Sequence, residues 1–82
     1  MSAADEAVDL IRGDRMVEYG PPDEALGRIA VMWSAHLGVP VMSRDVAIMM
    51  TLLKVARLAH QDKHDSYVDA HAYLLLAEQL GT

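Results

Sequence analysis

The sequence predicts an all-α fold, and three observations carry that expectation. Apolar residues recur at helical spacing through most of the chain, strand-like alternation is weak everywhere, and the breaks fall at glycine and proline. The expected architecture is a single helical domain over residues 1–82, a four-helix arrangement with a central antiparallel helical hairpin, completed by oligomerisation.

Each element has its own signals. Ser2 can cap a first helix, with Asp5 three residues on as a weak capping box; Ala7, Val8, Leu10 and Ile11 give it an apolar side, and Gly13 stops it. A polar connector follows from Asp14 to Pro22, because Tyr19-Gly20-Pro21-Pro22 cannot be helical throughout. The spacing of Leu26, Ile29, Ala30, Trp33 and Leu37 predicts a second helix from Asp23 to Leu37, ended by Gly38, with Trp33 as a core anchor. Val39-Pro40-Val41 reads as extended. Ser43 is then the expected cap of a third helix, with Asp45 in its first turn.

That third helix is apolar nearly all round. Ile48, Met49, Leu52 and Ala56 face one way, Val46 and Leu53 widen the patch, and Thr51, Lys54, Arg57 and Gln61 leave only a narrow polar stripe. Such a helix is expected in the middle of an assembly. His60 to His64 forms a short polar turn, and a fourth helix runs to Leu80 before Gly81.

Composition narrows the function classes. A domain of 82 residues buries a modest core, yet 52% of this chain is hydrophobic, with six Met, no Phe and 5% aromatic residues. Either the chain is a compact monomer, or its surplus apolar surface is buried between copies. The second reading is preferred and makes the chain its own partner, as a dimer or larger. A net charge of −5 argues against a duplex nucleic-acid binder. The absence of cysteine excludes disulfides and thiolate metal sites and fits a reducing compartment. The acidic start MSAADEAVDLI lacks the pattern of a signal peptide, and the longest apolar run, Val46 to Leu53, is too short to span a bilayer. A soluble, cytoplasmic protein without membrane contact is expected.

The charges within the apolar hairpin are the first candidate site. Folding the third and fourth helices about Gln61 and Asp62 puts Lys54 level with Asp69, and Arg57 level with Asp65 and Ser66. Four charges placed this way form either an ion-pair network that sets the hairpin register, or a polar pocket for phosphate or a divalent ion. Arg12-Gly13-Asp14-Arg15 with Tyr19-Gly20 is the second candidate. Arg15 could clamp an anion and Tyr19 stack on a base, although arginines there serve equally as caps of helix carbonyls. His36, His60, His64 and His71 make no convincing metal motif, and neither a phosphate-cradling glycine loop nor a nucleophile triad is present.

The run Arg12-Gly-Asp-Arg, Tyr19-Gly-Pro-Pro, Arg28-Ile-Ala-Val-Met-Trp-Ser-Ala-His-Leu-Gly, Asp45-Val-Ala-Ile-Met-Met-Thr-Leu-Leu-Lys-Val-Ala-Arg-Leu and Asp65-Ser-Tyr-Val-Asp resembles a family of small uncharacterised bacteriophage proteins. The resemblance covers Arg12 to about Tyr73 and implies the host cell cytosol as the location. A more distant resemblance is to the MazG-like all-α nucleoside triphosphate pyrophosphohydrolases, whose Glu-x-x-Glu and Glu-x-x-Asp helices hold magnesium against substrate phosphates. Trp33 suits the Trp-bearing helix of that family, and Asp69 to Glu78 is similar to its last element. The Glu-x-x-Glu positions fall on Lys54 and Arg57, and the first Glu of Glu-x-x-Asp on Ser66. Asp69 matches, with Asp65 one residue out of register.

Cations in ligand positions repel a metal. The resemblance thus implies a helical scaffold whose carboxylate site has given way to salt bridges or to a metal-free phosphate pocket. The leading expectation is an oligomeric protein acting by binding, with no catalytic residue and no cofactor. It would take a nucleotide-like phosphorylated ligand on Arg15, Tyr19, Lys54, Arg57, Asp65 and Asp69. The rivals are a magnesium-dependent pyrophosphohydrolase and a non-catalytic module that binds a host protein.

Overall fold

The computed structural model describes residues 2–12 and 21–80. Four helices account for nearly all of them: α1 (Ala3–Arg12), α2 (Pro22–Leu37), α3 (Ser43–Leu58) and α4 (His64–Leu80). No strand occurs among the described residues, and none of the helices is long and apolar enough to cross a membrane. The connector expected from Asp14 to Pro22, with Arg15 and Tyr19, and the stop at Gly13 lie outside the described residues, apart from Pro21 and Pro22.

Local chemistry sets the helix ends. The Ser2 hydroxyl accepts the Asp5 amide at 3.2 Å and donates to the Asp5 carboxylate at 2.8 Å, so one pair of side chains closes the first turn of α1. Pro22 opens α2, where its fixed φ is already helical and its missing N–H costs nothing. Gly38 ends α2 in the left-handed region, at φ 72°, with its amide returning to the Ser34 carbonyl at 2.9 Å.

Ser34 then ties the following connector down. Its hydroxyl accepts the Val41 amide at 2.8 Å and lies 2.7 Å from the Ala30 carbonyl, which holds Val41 against the last turns of α2. The start of α3 differs from expectation by one residue. Met42, not Ser43, occupies the capping position, because the Asp45 carboxylate reaches back to accept the Met42 amide at 2.8 Å. Ser43 is already helical, and its hydroxyl sits beside Gly27 of α2, where the two helices approach.

The helices neighbour one another in the order α1, α4, α3, α2. The α3–α4 hairpin is therefore the middle of the domain, α1 lies against α4, and α2 lies against α3. Within the hairpin α4 is the deeper helix. It buries Val68, Ala72, Leu76 and Ala77, whereas α3 buries only Val46 and Ala47 near its start. The expectation that the third helix is surrounded on all sides is therefore not met within one copy of the chain.

Among the described residues, five of the ten in the buried core are alanine: Ala7, Ala30, Ala47, Ala72 and Ala77. Small side chains let helices approach closely but supply little apolar volume. Many of the large apolar residues lie outside that core, including Val31, Met32, Met49, Leu52, Leu53, Val55 and Leu74, which are exposed. Trp33 is half-buried and packs against the core, in keeping with an anchoring role.

Candidate functional site: the charged end of the helical hairpin

The fold places Lys54 on the side of α3 that meets α4, and Asp69 across from it. Their Nζ and Oδ2 atoms are 2.9 Å apart, and the side chains are 14% and 23% exposed. The predicted register is thus realised at this pair. Both charges are largely withdrawn from water, and each neutralises the other.

Arg57 and Asp65 behave differently. Both are exposed, and they form no ion pair with each other. The reason is rotation rather than height. Three residues after Lys54, Arg57 is turned about 60° around α3, and Asp65 is turned about 40° from Asp69 around α4. The two side chains therefore leave the seam, and at exposed positions a salt bridge offers too little to draw them back.

The structure assembles a different group around Arg57. With His60, Gln61, Lys63 and Ser66 it lines a shallow hollow where α3 turns into α4. Arginine and lysine here carry fixed positive charge, while Gln61 and Ser66 offer neutral donors. Among the described residues, no carboxylate lines the hollow. The sequence predicts only a short polar turn from His60 to His64. The local signal for the hollow is the density of donors, His60, Gln61 and Lys63, within six residues after Arg57.

Two nearby carboxylates, Glu6 and Asp62, are engaged elsewhere, while Asp65, beside Ser66 in the chain, is exposed and forms no ion pair among the described residues. The Glu6 carboxylate meets His64 Nε2, joining α1 to the first residue of α4. Asp62 accepts a hydrogen bond from the Tyr67 hydroxyl, and that bond, with the charge of Asp62, raises the Tyr67 pKa above its ordinary 10.0. A raised folded-state pKa means that this contact favours the folded chain up to the ordinary phenol range and is lost as pH rises further. Ultraviolet titration is therefore expected to show Tyr67 ionising above pH 10.0, with Asp62→Asn bringing it back down.

The described residues do not suit a magnesium site. No group of three or more His, Cys, Asp or Glu could hold a metal ion. Asp69, the residue expected to fit the pyrophosphohydrolase pattern, has the Lys54 ammonium where a metal's charge would have to sit. The six expected ligand-binding residues are thus divided. Lys54 and Asp69 form the seam pair, Arg57 joins the hollow, Asp65 is exposed in the first turn of α4, and Arg15 and Tyr19 lie outside the described residues.

The ancestry of the chain is decided by its match, over residues 2–81, to the family model described as a domain of unknown function, DUF6378. The chain belongs to the DUF6378 family. Among proteins similar to this DUF6378 chain is the Gene 55 protein of Mycobacterium phage L5, 39% identical over 82 residues, which are 98% of this chain and 53% of the relative. The Gene 55 protein of Mycobacterium phage D29 is 36% identical over 80 residues, or 96% of this chain and 53% of the relative. The DUF6378 chain therefore spans about half the length of the curated relatives it matches. The resemblance to small phage proteins is borne out at this level. No solved structure gives a significant match.

Proposed function

We propose that this DUF6378 protein acts by binding a small phosphorylated, nucleotide-like ligand, and that the hollow at the hairpin end meets the phosphate. One observation carries the reading: Arg57, His60, Gln61, Lys63 and Ser66 converge on one solvent-open depression without a carboxylate among them. A guanidinium engages phosphate oxygens through paired hydrogen bonds, and a nearby ammonium adds a point charge. Lys54 plays a supporting part by fixing α3 against α4 through Asp69, which positions Arg57 one turn further on. Sequestration of a host nucleotide is a use consistent with such a site.

Calorimetric titration with inorganic phosphate, pyrophosphate and a panel of nucleotides, cyclic dinucleotides included, tests the reading. At least one phosphorylated compound is expected to bind well below about 1 mM, and Arg57→Ala with Lys63→Ala to weaken it by about tenfold or more. A panel without any binding below millimolar concentration, or binding indifferent to both substitutions, would overturn it.

A further inference from the structure

The solvent side of α3 is the most unusual surface of the molecule. Lys54, its central charge, points inward to Asp69, while Met49, Leu52, Leu53, Val55, Ala56 and Ala59 are exposed on the other side. Leu52, near the middle of this face, is 61% exposed. Over three turns the face itself carries no charged side chain; Asp45 precedes Met49, and the exposed Arg57 flanks the face one turn after Leu53.

We infer that this face is covered by α3 of a second copy of the chain, running antiparallel about a two-fold axis centred between Leu52 and Leu53. Charge complementarity selects that occupant and orientation. With this centre Asp45 lies opposite the partner's position 60 and within a turn of the partner's Arg57, so a carboxylate and a guanidinium are brought close at each end of the pairing. A parallel pairing would set Asp45 against the partner's Asp45 and align the two helix dipoles unfavourably.

Side-chain size agrees with the same register. Met49 lies opposite the partner's Ala56, long against short, and Leu52 opposite the partner's Leu53. A face that complements itself when reversed is what a two-fold interface requires. It also gives the apolar surface that the alanine-rich core leaves outside a place to be buried. The hollow around Arg57 and Lys63 borders this interface, but the pairing stands independently of any ligand there.

Sedimentation of the full chain, with cysteine placed on the exposed α3 face, tests the pairing. The chain has no native cysteine, so an introduced thiol is unambiguous. A dimer is expected at about 100 μM, with Leu52→Glu weakening it by about tenfold or more while circular dichroism stays helical. Under mild oxidation, Met49→Cys chains mixed with Ala56→Cys chains are expected to cross-link to each other, and Met49→Cys chains alone to remain uncross-linked. A chain that stays monomeric at that concentration would overturn the pairing. Efficient cross-linking of Met49→Cys to itself would overturn the antiparallel register.

Discussion

Leu76→Ala is expected to cost about 3 kcal/mol of stability, a large effect for a single truncation in so small a fold. Leu76 is 5% exposed and continues the stripe of Val68 and Ala72 on the buried side of α4. The buried core it belongs to includes Ala7, Ala47, Ala72 and Ala77, whose short side chains cannot swing into a vacated space. Whole helices would have to slide to fill it, so most of the cavity would remain.

A chain of this size is stable by only about 4–12 kcal/mol. A loss of about 3 kcal/mol would lower the thermal midpoint by about 12–24 °C. The control lies two residues away. Leu74 is exposed on the same helix, and Leu74→Ala should change stability by no more than about 0.5 kcal/mol. Thermal unfolding followed by circular dichroism separates the two outcomes. Equal midpoints would show that α4 is not packed through the Leu76 side.

The second large effect belongs to the seam pair. Asp69→Ala leaves the Lys54 ammonium largely withdrawn from water without its counter-charge, and the expected loss is about 2–3 kcal/mol. The value sits at the lower end for ion pairs because both side chains keep some contact with solvent. Converting both partners to apolar residues, as Lys54→Met with Asp69→Leu, is expected to recover most of that loss. No charge is then left unpaired, and the seam gains packing. A double-mutant cycle in denaturant measures the coupling directly. Single substitutions that simply add would mean that the two groups do not interact in solution.

Much of this fold was legible because the deciding interactions are local. Ser2 with Asp5, and Gly38 after Leu37, are short-range signals whose geometry follows from a few neighbouring atoms. The Lys54–Asp69 register was also legible, since a short turn fixes the heights of residues along two antiparallel helices. Height does not fix rotation, and this is why Arg57 and Asp65 did not meet. The start of α3 moved for a similar reason. Ser43 has the better capping chemistry, but the reach of Asp45 to the Met42 amide decided the position.

The basic hollow was harder to read. It draws on one helix end, one turn and one helix start, and no periodicity links residues of those three kinds. Similarly, periodicity showed that α3 is apolar on nearly every side, but not which of those sides another helix of the same copy would cover.

The neighbour order α1, α4, α3, α2 also bears on how the chain reaches its native state. The contacts between α2 and α3, and between α3 and α4, join consecutive helices and can form as each helix leaves the ribosome. The partner of α1 is instead the fourth helix, so this contact must close a loop that holds two intervening helices, at an entropic cost that local contacts avoid. Until α4 is made, Ala7 and Ile11 lack their main packing partner, and the nascent chain carries much of that apolar side uncovered. Assembly therefore waits on the helix translated last of the four.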